Sequence, residues 1–132
     1  MNTVRQQELL AAFGAAPITR FFGMALSYDE QGHAHVNLPY NPNLDYPGGI
    51  HGGVIATLLD TAGWFAAAAQ SETAWFATSE FNIHLLYPAQ ECDLHAEGWV
   101  VKSGKRLSIA EMRVSASNEE LVAIGTGTFV IL

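Results

Sequence analysis

Apolar and polar residues alternate along much of this chain, and the alternation is typical of β-strands with one buried face. The clearest case runs from His33 to Leu38, after a predicted hairpin turn at residues 29–32. Turn-forming residues separate the later segments, and tight turns between long strands favour an antiparallel sheet. The predicted strands cover residues 22–29, 33–39, 75–87, 92–102, 106–117 and 121–131.

Two segments have helical spacing instead. From about residue 51 to residue 70, apolar side chains recur every three or four positions, and the remaining faces are mostly small or apolar. This helix should therefore be surrounded by other elements. Residues 4–13 have a weaker helical pattern, and Gly14 suits its end. The predicted apolar contacts of this first helix are Val4, Leu9, Leu10 and Phe13.

The order of these elements predicts an α+β fold in which a curved antiparallel sheet wraps one long helix. Residues 40–50 are dense in turn formers and are predicted to form a loop. No linker or repeat divides the 132 residues, so we expect one domain, with an N-terminal helical segment over residues 1–20.

Composition and charge narrow the class of protein. The chain is 49% hydrophobic and 14% charged, which indicates a folded domain, and its net charge of −7 argues against a nucleic-acid partner. The single Cys92 cannot form an internal disulfide, and the apolar residues 9–16 lack the basic flank of a signal peptide. No apolar run reaches the ~20 residues of a membrane span. We therefore expect a cytoplasmic protein without a membrane partner.

The long helix carries one isolated carboxylate. Between Tyr46 and Ser71, Asp60 is the only formally charged residue. Burying an unpaired carboxylate costs on the order of several kcal/mol unless it is hydrogen-bonded, solvated or protonated. Asp60 could reach solvent or cap a loop amide, or it could be a catalytic group. Small helical neighbours such as Ala56 and Gly63 leave a hollow beside it, which favours catalysis.

The same helix begins at His51-Gly52-Gly53. The first N–H groups of a helix have no intrahelical partner, and Gly52 and Gly53 allow a ligand to approach the backbone closely, so this segment is either an oxyanion site or a tight turn. Gly52 and Asp60 are eight residues apart, or ~12 Å along one helix. A thioester cannot reach both within one chain, but two antiparallel copies about a twofold axis can share them. We predict an obligate homodimer with two shared sites.

Three segments resemble a known family, the hotdog thioesterases of the phenylacetate-pathway (PaaI-like) group. The first is the pattern His51-Gly52-Gly53-x4-Leu58-x-Asp60-x-Ala62. The second and third are Phe81-Asn82-Ile83-His84-Leu85-Leu86-Tyr87-Pro88-Ala89 and Val100-Val101-Lys102-Ser103-Gly104-Lys105-Arg106. The match runs in order and spacing over about residues 20–132.

The resemblance implies a hotdog fold of five or six strands, dimers that pair into tetramers, and hydrolysis of acyl-CoA thioesters without a metal or another cofactor. The expected acyl groups are small aromatic or medium-chain. Carried over by position, Gly52 supplies the oxyanion amide, and Asp60 is the nucleophile or the general base. His51 braces the loop, and Thr78 helps to place water or Asp60.

One position departs from the family pattern. Relatives often carry Asn six residues before the motif His, near the thioester, whereas this chain has Asp45 there and Asn43 two residues earlier. Either Asn43 substitutes through a shifted loop, or Asp45 changes the local charge. Because of this departure, the role of position 45 and the preferred substrate cannot be carried over directly from the family.

Several other side chains have two interpretations. Lys102, Lys105 and Arg106 either contact the phosphates of CoA or form a solvated hairpin turn. Trp64 either lines an acyl pocket or packs in the core or a dimer interface. The histidines at positions 33, 35, 84 and 95 show no compact ligand spacing with Cys or acids, so no metal site is predicted.

Two alternative functions use the same residues. A hotdog dehydratase or hydratase would need a catalytic His paired with an acid, and His51 and Asp60 are the candidates for that pair. A non-catalytic module would bind acyl-CoA and leave it intact. Thiol release distinguishes hydrolysis from both, and loss of enoyl absorbance identifies hydration.

Overall fold

The structure, a computed structural model, describes residues 3–132 and contains helices α1 to α3 and strands β1 to β8. The helices are α1 (Thr3–Ala15), α2 (Pro17–Phe22) and α3 (Gly52–Ala69). The strands are β1 (Ala25–Tyr28), β2 (Ala34–Leu38), β3 (Asp45–Tyr46), β4 (Gly49–Ile50), β5 (Phe76–Leu85), β6 (Leu94–Ser103), β7 (Leu107–Ala116) and β8 (Leu121–Ile131).

Six of the strands form one antiparallel sheet in the order β1-β2-β6-β7-β8-β5. Helix α3 packs across one face of this sheet and contacts β2, β5, β6, β7 and β8. Strand residues on that face are buried, as Ala34, Val36 and Leu38 of β2 show. The predicted α+β fold, one helix against an antiparallel sheet, is confirmed, with six strands.

Helix α3 lies very close to the middle of the sheet. A Cβ atom added to Gly98 of β6 would lie 2.5 Å from the Ala62 carbonyl oxygen and 2.9 Å from the Gly63 nitrogen. Backbone therefore meets backbone, and only glycine fits at position 98. This contact fixes the height of α3 above the sheet and so the position of every side chain that the helix carries. The fully or nearly fully buried apolar residues of α3 are Val54, Ile55, Leu58, Leu59, Ala62, Ala66, Ala67 and Ala68.

By length and apolar composition, α3 is also the one helix within residues 3–132 that could cross a membrane, and half of it is buried inside the fold. Such burial is what the core helix of a compact domain shows.

The N-terminal helix differs from its prediction on its buried face. Val4 is 74% exposed and Leu10 37% exposed, so two of the four predicted apolar contacts are wrong, whereas Leu9 and Phe13 are buried. Arg5 occupies the inward face instead, at 1% exposure.

The end of α3 and the chain that follows it supply acceptors for the buried Arg5. Its Nε donates to the Ala68 carbonyl oxygen at 3.3 Å, its Nη2 donates to the Ala74 carbonyl oxygen, and its guanidinium lies over the Trp75 ring at 4.9 Å. The last carbonyls of a helix lack intrahelical donors and favour a cation. Arg5 therefore ties α1 to the end of α3 through polar contacts that a search for apolar spacing does not detect.

The predicted strand over residues 22–29 is wrong at its beginning. Residues up to Phe22 belong to α2, which has Pro17 in its first turn and ends at Gly23 with φ 79°, so β1 spans only Ala25–Tyr28. The other strands and both predicted helices agree with their predicted bounds to within two residues. The loop over 40–50 contains a 3₁₀ turn at Pro42–Leu44 and the short β3–β4 pair.

Candidate active site

The beginning of α3 leaves one backbone donor open. His51 caps the helix, and its Nδ1 accepts the Gly53 N–H at 2.7 Å. The N–H groups of Val54 and Ile55 donate to the His51 carbonyl oxygen at 2.9 and 3.4 Å. Within residues 3–132, the Gly52 N–H has no acceptor. The helix therefore presents a single unpaired N–H at its positive end, at Gly52.

An apolar pocket of about 190 Å³ adjoins this donor. Leu85 lies so close that its Cδ1 would be 2.8 Å from a Cβ added to Gly52. The chemistry of the pocket suits an acyl group whose carbonyl oxygen points at the Gly52 N–H. Apart from Gly52, none of its lining residues was singled out as a site residue from the sequence, although most belong to the family-like segment 81–89. The lining residues are Ile50, Gly52, Ile55, Leu85, Leu86, Tyr87 and Pro88.

Two turns further along α3, Asp60 is half-buried and keeps one oxygen unoccupied. The Thr78 hydroxyl donates to Asp60 Oδ1 at 2.8 Å. Within residues 3–132, Oδ2 has no hydrogen-bond partner and the carboxylate has no ion-pair partner. Burial raises the pKa of Asp60 above its ordinary value, and the hydrogen bond from Thr78 lowers the pKa in part. A carboxylate with a raised pKa and a free oxygen is suited to take a proton from water.

A β-bulge in β5 brings Thr78 to Asp60. The pairing of β5 with β8 shifts between Thr78 and Glu80, so Ser79 is the extra residue. Before the bulge, Phe76 and Thr78 face α3, whereas after it Ile83 and Leu85 do.

Comparison with known proteins identifies the family of this fold and site. The thioesterase superfamily matches residues 47–123, from the loop before α3 into β8. The chain belongs to the thioesterase superfamily. A protein of Saccharolobus solfataricus named "Putative esterase" is 31% identical over 115 residues, which are 86% of this chain and 77% of that protein.

Solved structures agree with this family. A protein of Bacillus halodurans solved with CoA has a TM-score of 0.83 and 30% identity, over 97% of this chain and 93% of that one. The PaaI protein of E. coli, from the phenylacetic acid degradation operon, has a TM-score of 0.85 and 22% identity, over 97% of this chain and 93% of that one. The predicted hotdog fold is confirmed and is shared with PaaI, and the family match makes the chain a hydrolase of thioesters.

Within one copy of this thioesterase, Asp60 and Gly52 remain apart. Both are on the straight run of α3, eight residues from each other, and the helical rise of ~1.5 Å per residue separates them by ~12 Å. Each chain therefore holds two separate groups, a carboxylate with its Thr78 partner and an open N–H with its apolar pocket.

The loop before α3 carries the other two polar site residues predicted from the sequence. Asp45 is exposed and accepts a hydrogen bond from the Tyr40 hydroxyl at 2.6 Å, a contact that raises the pKa of Tyr40 to about 12. Asn43 is exposed on the 3₁₀ turn, and its backbone N–H donates to the Asn41 side chain at 3.0 Å. The Tyr46 ring meets the His51 ring edge-on at 5.1 Å, which connects this loop to the cap of α3.

The thioesterase places the remaining predicted residues in two other environments. Trp64 donates its indole N–H to the Phe76 carbonyl oxygen at 2.9 Å and packs within a cluster of aromatic rings. Lys102, Lys105 and Arg106 are exposed and line a shallow cavity of about 260 Å³ at the β6–β7 turn.

Proposed function

We propose that the protein hydrolyses acyl-CoA thioesters with small aromatic or medium-chain acyl groups, giving the free acid and CoA. The observation that carries this proposal is the presence on α3 of two polar groups, each with an atom that lacks a hydrogen-bond partner within residues 3–132. These are the half-buried Asp60 carboxylate with one unoccupied oxygen and the open Gly52 N–H beside an apolar pocket. The Bacillus halodurans relative solved with CoA supports CoA as the carrier.

The two groups divide the reaction between them. The thioester carbonyl oxygen accepts the Gly52 N–H of one subunit, and Asp60 of the other subunit takes a proton from water as the water oxygen attacks the carbonyl carbon. The C–S bond then breaks and the thiolate leaves with the electron pair, so no strong acid is needed at the leaving group. In the alternative route, Asp60 attacks the carbonyl carbon directly, and water later hydrolyses the resulting anhydride.

A homodimer supplies the missing half of each site. Strand β5 is ten residues long, lies at the edge of the sheet and is exposed over most of its length. A long exposed edge strand offers unpaired backbone groups to another strand. Exposed apolar side chains continue beyond it at Leu86 and Tyr87. We propose that a second copy pairs here about a twofold axis, that two dimers associate into a tetramer, and that Lys102, Lys105 and Arg106 contact the CoA phosphates.

A panel of acyl-CoA substrates tests the proposed function. We expect thiol release, measured colorimetrically, to be fastest with small aromatic or medium-chain acyl groups. A hydratase would instead remove enoyl absorbance without releasing thiol, and a binding module would retain the acyl-CoA uncleaved. His51 Nδ1 accepts the Gly53 N–H, so a neutral ring carries its proton on Nε2 and cannot act there as the base of a hydratase, which favours hydrolysis. Absence of thiol release across the panel would exclude the proposal.

Thr78→Val should change the pH dependence of the reaction. The Thr78 hydroxyl stabilises the ionised form of Asp60, so its removal raises the pKa of Asp60 further. Because the ionised carboxylate is the active form, we expect the acid limb of the kcat/KM profile to move to higher pH. Thr78→Ser keeps the hydroxyl and serves as the control. An unmoved limb in Thr78→Val would show that this hydrogen bond does not control the catalytic carboxylate.

A further inference from the structure

The face of the sheet opposite α3 carries a compact cluster of histidine and acidic side chains. His35 of β2 and Glu97 of β6 are directly paired across the two strands, and Asp29 lies at the start of the β1–β2 turn. One ligand atom from each of these three residues lies within 4.8 Å of the others. We propose that Asp29, His35 and Glu97 bind a divalent transition-metal ion such as Zn²⁺.

The donor set fits that class of ion. One imidazole nitrogen and two carboxylate oxygens are ligands that zinc accepts at about 2.0–2.2 Å, with water in a remaining position. Asp29 Oδ2 and His35 Nε2 are already 2.7 Å apart, so small side-chain rotations would admit an ion between them. The side chains of Asp29, His35 and Glu97 are 34%, 20% and 16% exposed, which leaves a path from solvent.

The groups around the three ligands hold them in place. His35 Nδ1 lies 2.9 Å from His95 Nε2, and His95 Nδ1 lies 2.7 Å from Asn37 Oδ1. If each Nδ1 carries its proton, the two contacts form a chain of donors that ends on the Asn37 oxygen. In that tautomer the lone pair of His35 Nε2 points at Asp29 Oδ2, and a cation between the nitrogen and the carboxylate, either a proton or a metal ion, completes the contact. Metal-binding histidines usually donate their other N–H in this way.

The two carboxylates are oriented as well. Glu97 Oε2 lies 2.8 Å from His33 Nδ1, and Glu97 Oε1 accepts from Arg113 at 2.9 Å. Asp29 Oδ1 accepts the backbone N–H groups of residues 31 and 33, both at 2.9 Å, which leaves Oδ2 for an ion. A bound ion would join the β1–β2 hairpin to β6, so it should stabilise the edge of the sheet.

Zinc titration of chelator-treated protein tests this site, independently of thioesterase activity. We expect calorimetry to give one ion per chain, a higher Tm with Zn²⁺ than with chelator, and at least ~10-fold weaker binding in His35→Gln, Glu97→Gln and Asp29→Asn. Asp29→Asn keeps a side-chain oxygen that can accept the backbone N–H groups of residues 31 and 33. This variant therefore still tests the metal site if another variant fails to fold. Glu111→Gln, which removes a carboxylate from the same face of the sheet, and His84→Asn, which removes a histidine outside the cluster, should bind as the wild type does.

Two results would overturn the proposal. One is the absence of saturable Zn²⁺ binding by the folded wild-type protein, which would leave the cluster as a hydrogen-bonded network only. The other is equal affinity in the wild type and in Asp29→Asn and His35→Gln, which would place the ion elsewhere.

Discussion

Asp60→Asn is expected to lower turnover of acyl-CoA substrates by ~10²-fold or more, the scale of one lost general base. The amide can still accept the Thr78 hydroxyl at the position of Oδ1, so the local geometry should persist. It cannot take a proton from water or attack a carbonyl carbon. Steady-state assays of thiol release should show the loss in kcat rather than in KM, since binding of the acyl group and of CoA is left intact.

The same substitution should not reduce stability. The pKa of Asp60 is raised in the folded state, so the folded protein holds this proton to higher pH than the unfolded chain does. Wild-type stability is therefore lost as pH rises through the folded pKa, whereas Asn stays neutral throughout. At neutral pH we expect Asp60→Asn to unfold at an equal or higher Tm. Glu72→Gln, an exposed carboxylate beyond the end of α3, is the charge-matched control and should keep full activity. Comparable turnover in Asp60→Asn would exclude the proposed role.

Asp60 and the beginning of α3 could be proposed as site elements from the sequence because both depend on local information. An isolated charge in an apolar helix and two glycines after a capping residue are visible without tertiary contacts. Which N–H remains open is a different matter, because it depends on the rotamer that turns His51 Nδ1 onto the Gly53 N–H. Helix chemistry limited the expected donor to one end of the helix and the family resemblance named Gly52; within residues 3–132, the Gly52 N–H is the one without an acceptor at this end.

The features that sequence analysis missed depend on contacts between distant residues. Arg5 is buried because carbonyls more than sixty residues away need a donor, and helical periodicity alone places apolar residues on that face. Likewise, the spacing of His35 and Glu97 along the chain shows no ligand motif, and only the register of β2 on β6 brings them opposite each other. The pairing of strands that are far apart in the chain is the feature that is hardest to predict from a single sequence.

Gly52→Pro should lower kcat by ~10²–10³-fold, the effect of deleting one oxyanion donor. Proline removes the N–H at the first helical position, where it is well tolerated, and His51 has φ −56° and ψ 133°, which suit a residue before proline. The lost N–H has no acceptor within residues 3–132, so folding should be retained. Gly52→Ala is the matched control, because it makes the same approach to Leu85 Cδ1 but keeps the N–H. Equal activities of the Pro and Ala variants would exclude Gly52 as the oxyanion donor.

Combining the two inactive variants then tests whether two subunits share each site. A dimer of one Asp60→Asn chain and one Gly52→Pro chain has one site with both substitutions and one site with neither. Random pairing during co-expression makes half of the dimers mixed, so activity should recover to roughly one quarter of the wild-type value. If both groups acted within one chain, every site would contain a substitution and the mixture would stay as inactive as its components. Mixed dimers isolated through separate tags on the two chains have one intact site of two, so their thiol release should reach roughly one half of the wild-type value and decides between a shared and a single-chain site.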